Sequence, residues 1–173
     1  MKSLQSSDFE LFGLEQRFSQ ELAELDTRWK DLQRQAHPDK FAAQGAAAQR
    51  IAMQWSVRIN EAYQRLKDPL KRAAYLCELH GAPVDAENNT AMPATFLMQQ
   101  MEWREELDDA KSAEDLDKIS VQCKQAKRKV LQEIERLLDL ALDYSAAVAQ
   151  VRALMFIERF AADVDARLDR LEA

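Results

Sequence analysis

A single regular pattern between Leu116 and Ala141 restricts the fold of this chain more than any other feature of its sequence. Apolar residues recur there every three or four positions, as they do on the buried face of a helix. The positions are Leu116, Ile119, Cys123, Ala126, Val130, Ile134, Leu137 and Ala141. The 173 residues include only 3 Gly and 4 Pro, and the plentiful Ala, Leu, Gln, Glu and Arg favour helix. We therefore predict an all-α fold.

The first half of the chain predicts an antiparallel hairpin of two long helices braced by short ones. A short helix ends near Gly13, and Ser19 is the expected N-cap of the first long helix. That helix carries an apolar stripe, made of Leu22, Leu25, Trp29, Leu32 and Ala36. Pro38 ends it, because proline lacks an N–H and disfavours the α conformation of the preceding residue. The second long helix spans roughly 47–66, and Gly81 closes a short fourth helix.

The second half of the chain predicts three further helices separated by short turns. The first spans about 96–110, and the second begins after Ser112, where Ser-Ala-Glu-Asp resembles a capping box. The third runs from about Tyr144 towards the C-terminus. An antiparallel three-helix bundle is the simplest arrangement that buries their apolar faces.

Charge is distributed unevenly along the chain. Residues 1–80 hold 12 Lys and Arg against 11 Asp and Glu, whereas residues 81–173 hold 12 against 19. The net charge is thus +1 for residues 1–80 and −7 for residues 81–173. The change in charge falls at the least helical stretch, GAPVDAENNTAMPA, which holds two of the four prolines. We therefore predict a helical domain at 1–80, a linker at 81–94 and a three-helix bundle at 95–173, with different electrostatic partners.

The start of the chain has no continuous apolar run behind its lysine, and no apolar run is long enough to span a bilayer. Cys77 and Cys123 are expected to be free, reduced thiols, so we predict a cytoplasmic protein with no membrane contact. The Cys77-x-x-His80 pair offers two zinc ligands where a structural site needs four. We predict no metal and no cofactor, and a monomer is the default oligomeric state.

The loop between the two long helices reads QRQAHPDKFAAQG. His37 and Asp39 could serve a helical enzyme as base and orienting group, but no Ser or Cys nucleophile is near in sequence. A recognition role fits better, because Pro38 limits the freedom of polar groups that include Lys40. On the helix that leads into the loop, Lys30 and Arg34 lie one turn apart and Arg28 lies on another flank; these charges are also typical of a solvated face.

A helix ending in His-Pro-Asp, followed by INEAYQRLKDPLKRAAYL, strongly resembles the J domain of co-chaperones. Four ordered segments narrow the resemblance to the HscB family of J-type co-chaperones in iron–sulfur cluster assembly; they are DFELFGL, LQRQAHPDKF, YLCELHG and FLMQQMEWREELDDA. The resemblance implies an N-terminal J domain whose His37, Pro38 and Asp39 contact an HscA-like partner, with Lys30 at a position that is often basic in J domains. We predict that the same chaperone-binding surface also includes Lys40, Arg34 and Arg28. Ala36 stands where an aromatic residue is often found.

The helix at 96–110 carries two apolar faces rather than one. Phe96, Trp103 and Leu107 form the expected core contact, whereas a second apolar patch lies well off that face, rimmed by acids. Periodicity alone leaves open whether this patch binds a partner or is buried on a second side. The family resemblance implies that it binds an IscU-like scaffold, through Leu97, Met98, Met101, Glu102, Glu105, Asp109 and Phe156 on the last helix.

The sequence thus predicts a non-enzymatic co-chaperone that stimulates an HscA-like ATPase and delivers an IscU-like scaffold to it. One alternative is a J-domain co-chaperone that serves a different client. A nucleic-acid-binding protein is a weaker alternative, because the sequence pI is about 5.1 and the KQAKRK run resembles a solvated helix face.

Overall fold

A computed structural model of the chain describes residues 2–84, 92 and 94–173. These residues contain helices and turns and no strand, which confirms the predicted all-α fold. The α-helices are α1 (Asp8–Phe12), α2 (Leu22–Ala36), α3 (Ala46–Lys67), α4 (Pro69–Leu79), α5 (Ala94–Asp109), α6 (Ala113–Glu135) and α7 (Tyr144–Glu172). A 3₁₀ helix follows α2 and a π turn follows α6, at Pro38–Gln44 and Arg136–Leu140.

The described residues form two compact units, Met1–Leu76 and Cys77–Ala173. The boundary falls inside α4, four residues before the end of the predicted domain at 1–80. Most of the predicted linker, at 85–91 and 93, lies outside the described residues. The boundaries 1–80, 81–94 and 95–173 therefore remain a prediction.

In the first unit, α2 and α3 form the predicted antiparallel hairpin. Trp29 Nε1 donates a hydrogen bond to Asn60 Oδ1 at 3.0 Å, and Gln33 Oε1 accepts one from Ser56 Oγ at 2.9 Å. Residues later in α2 thus pair with residues earlier in α3, as expected for two antiparallel helices. The Trp29 ring also stacks on Tyr63, with 4.5 Å between ring centroids. The hairpin therefore holds the loop at its tip on two mutually braced helices.

A buried carboxylate joins α1 to α3. Asp8 is fully buried and accepts hydrogen bonds from Arg65 Nε at 2.6 Å and Arg65 Nη2 at 2.9 Å. Arg58 Nη2 lies 2.8 Å from the same carboxylate, and Tyr75 accepts a hydrogen bond from the Asp8 N–H. The pKa of Arg65 is raised, chiefly by its hydrogen bond to Asp8. A buried charge is tolerated here because it is paired and hydrogen-bonded.

In the second unit, α5, α6 and α7 enclose one apolar core. Phe96 contacts Phe156, and Trp103, which lies further along α5, contacts Phe160, which lies further along α7. This order of contacts indicates that α5 and α7 run parallel. The buried members of this core are Trp103, Leu107, Ala110, Leu116, Ile119, Cys123, Ile157, Phe160 and Val164. Within α5 itself only Trp103 and Leu107 are buried, so α5 covers the core with a narrow face.

The start of α2 differs from the prediction. Ser19 is not its N-cap, because α2 begins at Leu22 with Glu21 at the capping position. Arg72 Nε donates to the Phe18 carbonyl at 2.6 Å and its guanidinium lies 4.8 Å from the Phe18 ring centroid. This contact from α4 holds the segment that precedes Leu22 outside α2. Leu22, the first member of the predicted stripe, is consequently 54% exposed.

The end of α6 also differs from the prediction. The continuous helical face from Leu116 to Ala141 is interrupted by the π turn, whose wider spacing lets Leu137 and Leu138 both be buried. Ala141 is exposed rather than part of the core. Leu142 then adopts a φ of 52°, and the Asp143 carboxylate caps α7 by accepting from the Ala146 N–H.

Candidate functional site

The His-Pro-Asp loop presents its carboxylate to solvent at the tip of the hairpin. α2 ends at Ala36, His37 is extended, and Pro38 starts the 3₁₀ helix, where a missing N–H costs nothing. His37 Nδ1 accepts a hydrogen bond from the Asp39 N–H at 3.2 Å. The Asp39 side chain is 90% exposed and its Oδ2 lies 3.6 Å from His37 Nδ1. The imidazole therefore caps the turn, and the carboxylate points outward.

This arrangement does not resemble a hydrolytic centre. His37 Nδ1 is occupied as an acceptor from the backbone, and the side chains of His37 and Asp39 lie in water rather than in a cleft. An exposed pair of this kind lacks the desolvated surroundings in which catalytic groups are tuned. Rigid display of polar groups is instead suited to recognition by a partner.

The basic residues near the loop have different environments. Lys30 and Lys40 are exposed, and Arg34 is an exposed residue whose Nη1 lies 3.4 Å from Asp31 Oδ1. Arg28 instead donates hydrogen bonds from Nη1 to the carbonyls of Phe12 and Gly13, at 2.9 and 3.0 Å. The structure thus leaves three of the predicted basic contacts at the surface, whereas Arg28 is tied to the end of α1.

A groove of about 540 Å³ adjoins the loop, and the sequence alone did not reveal it. Its walls come from the end of α2, the 3₁₀ helix and α3, and they include Leu32, Ala36, Phe41, Ile51 and Trp55. Ala36 has only a methyl group at the position where the resemblance implies an aromatic ring. That substitution was the one signal in the sequence that could have predicted the opening.

The second predicted surface lies on α5. Leu97, Met98 and Met101 are 44%, 63% and 65% exposed, whereas Trp103 and Leu107 on the other face are buried. The helix is therefore buried on one face only, and the apolar patch is open to a partner. The acidic residues of the predicted surface, which are Glu102, Glu105 and Asp109, are all exposed beside it.

Phe156 occupies a different position from the rest of this set. It is half-buried on α7, and its ring meets Phe96 edge-on with 5.7 Å between centroids. It also stacks against Trp103 and Phe160, at 6.3 and 6.0 Å. Phe156 thus belongs to an aromatic cluster that supports α5, and only part of its surface is available to a partner.

The two cysteines belong to neither predicted surface. Each is buried, and burial raises the pKa of the Cys77 and Cys123 thiols to about 11. Both thiols are therefore protonated at neutral pH and are poor nucleophiles and poor metal ligands. Among the described residues, no group of three or more His, Cys, Asp or Glu side chains is placed to hold a metal ion. In the same residues, no helix is long and apolar enough to cross a membrane.

Comparison with known proteins places the chain among a defined set of relatives. Residues 92–165 match the family described as the HSCB C-terminal oligomerisation domain. The co-chaperone protein HscB homologs of Burkholderia multivorans and Burkholderia mallei are each 51% identical over 175 residues, with 99% of both chains covered.

Solved structures show the same likeness. The chaperone HscB from Vibrio cholerae is 34% identical, with a TM-score of 0.82, and the match covers 96% of this chain and 99% of that one. The human co-chaperone protein HscB has a TM-score of 0.90 at 23% identity, over 96% of this chain and 84% of that one, which is a likeness of fold.

Proposed function

The chain belongs to the HscB family of co-chaperones, and on that basis we propose that it couples a chaperone ATPase to one client. In this proposal the first unit stimulates ATP hydrolysis by an HscA-like chaperone. The second unit binds an IscU-like iron–sulfur scaffold and delivers it to that chaperone. The observation that carries the proposal is the presence of two exposed surfaces of different chemistry on two separate compact units.

The proposed chaperone surface consists of His37, Pro38 and Asp39, with Lys30, Lys40 and Arg34 as peripheral cations. The capping bond from the Asp39 N–H to His37 Nδ1 fixes the loop before binding, which reduces the entropy lost on docking. The Asp39 carboxylate is exposed and available to a cationic group of the chaperone. We assign Arg28 a supporting role in that surface, because its guanidinium holds the end of α1 beside the hairpin.

The proposed scaffold surface is the apolar patch of Leu97, Met98 and Met101. Exposed methionines adapt their shape to a partner, and the surrounding carboxylates select a partner with basic residues. Phe156 contributes by supporting α5 from beneath and by its partly exposed ring. No catalytic residue, metal or cofactor enters this proposal.

Two surfaces on one chain raise the effective concentration of the client near the chaperone. A scaffold bound to the second unit is thus brought to the same chaperone molecule whose ATPase is stimulated by the first. Stimulation should therefore be greater with the scaffold than without it. A J-domain co-chaperone for another client would retain the stimulation and lose this synergy.

The test is steady-state ATP hydrolysis by HscA, measured with and without this protein and with and without IscU. We expect stimulation that is synergistic with IscU and is abolished by His37→Gln. His80→Gln, the same change at the chain's other histidine, is the matched control and should retain stimulation. Stimulation without synergy would contradict the client assignment, and a folded protein with no stimulation would contradict the chaperone surface.

A further inference from the structure

A groove between α5, α6 and α7 has no role in the function proposed above. It lies within the second unit and has a volume of about 380 Å³, which is within the range of ligand sites. Its floor is apolar and formed by Trp103, Ala153 and Ile157, which are 6%, 6% and 1% exposed. The groove is open because α5 covers the core with a narrow face only.

The rim of the groove is polar and carries one charge. It consists of Lys129 and of four glutamines, which are Gln99, Gln122, Gln125 and Gln150. Within the described part of the chain, none of these five side chains has a hydrogen bond or an ion pair. Lys127, two positions before Lys129, is by contrast paired with Glu158 at 3.3 Å.

The one charge that lines the groove is positive and belongs to the basic KQAKRK run of α6. Residues 81–173 carry a net charge of −7, but no Asp or Glu lines the groove. Lys129 is therefore a cation without a counter-ion beside an apolar floor. A carboxylate on the occupant would complement it, whereas a basic occupant would be repelled.

The glutamines restrict the backbone of the occupant. Each amide offers both donors and an acceptor, which is the combination that an extended peptide backbone needs. A helical segment has already satisfied its backbone groups, so its backbone would not bond to the four amides. We propose that this groove binds an extended peptide segment that carries an acidic side chain next to an apolar one. The acidic side chain would meet Lys129, and the apolar one would lie on Trp103.

This proposal does not depend on the chaperone and scaffold assignments. It can be tested by selecting phage-displayed random heptapeptides on the full-length protein and measuring the affinity of the best peptide by fluorescence anisotropy. We expect the enriched peptides to share an Asp or Glu beside an apolar residue. Lys129→Glu is expected to weaken the best peptide by about tenfold or more. Lys124→Glu changes another exposed lysine of α6, which does not line the groove, and should leave the affinity unchanged.

Further variants separate the possible outcomes. Gln122→Ala should weaken the peptide, and Met98→Ala, on the other side of α5, should not. Selection without enrichment, or peptides that bind Lys129→Glu as tightly as the unaltered protein, would overturn the proposal. Displacement of the peptide by acetate at a comparable concentration would also overturn the proposal. The groove would then recognise a free carboxylate and not a peptide.

Discussion

Replacement of Met98 by alanine provides a quantitative test of the apolar patch on α5. Met98 is 63% exposed, so a client that covers the patch would bury about two-thirds of its side chain. Complete burial of a methionine side chain contributes about 1.5–3 kcal/mol. The exposed part should therefore contribute about 1–2 kcal/mol to binding, which corresponds to a factor of about 5–30 in Kd.

The assay is isothermal titration calorimetry of the variant with an IscU-like scaffold. Val121→Ala is the matched control, because Val121 is a 52% exposed aliphatic residue on α6, outside the patch. Both variants should unfold within about 0.5 kcal/mol of the unaltered protein, since both side chains lie at the surface. Urea unfolding followed by circular dichroism checks that condition.

The reasoning would be refuted by either of two results. A scaffold affinity that does not change in Met98→Ala would mean that the patch is not covered in the complex. An equal loss in Val121→Ala would mean that affinity responds to surface hydrophobicity in general and not to α5. A loss much greater than 30-fold would indicate rearrangement of the helix, and the unfolding data would then show it.

Three further predictions concern stability. Asp8→Asn should lower the free energy of unfolding in urea by about 3–5 kcal/mol, because Arg58 is only 14% exposed and would lose its buried counter-ion. A loss below about 1 kcal/mol would contradict this. Leu142→Gly should raise the free energy of unfolding by about 0.5–1 kcal/mol by relieving the φ of 52°, and lower stability would contradict that. Burial raises the pKa of Cys77 and Cys123 from 9.0 to about 11. The contribution of the two protonated thiols to the stability of the fold is therefore complete below pH 9 and is lost as the pH rises to 11. The unfolding midpoint should fall more steeply over that range than in a double alanine variant, and parallel curves would argue against it.

Local signals predicted the helices well where the chain itself ends them. The second long helix was expected at 47–66 and is observed at Ala46–Lys67, because Pro69 and the glycine of the loop act within a few residues. Gly81 closes α4 with a φ of 76°, as the C-cap rule predicts. The apolar patch on α5 was also accessible from the sequence, because a 100° rotation per residue separates Met98 from Trp103.

Features that depend on distant residues could not be predicted in this way. Ser19 is a good N-cap by local criteria, but Arg72, more than fifty positions later, fixes the backbone at Phe18 and delays the helix. Arg28 has the position of a surface contact, and only the structure shows that α1 uses its guanidinium. The glutamine-lined groove likewise forms only where three helices meet. The sequence of any one of these helices contains only some of the residues that line it.

The division of the chain into two compact units has a consequence for its biosynthesis. The contacts that define the first unit are made within Met1–Leu76. They can therefore form before the 97 residues of Cys77–Ala173 have been synthesised. Translation at roughly 5–20 residues per second needs about 5–20 s to produce that remainder. The His-Pro-Asp hairpin therefore has several seconds in which to form on the ribosome before the second unit has been completely synthesised.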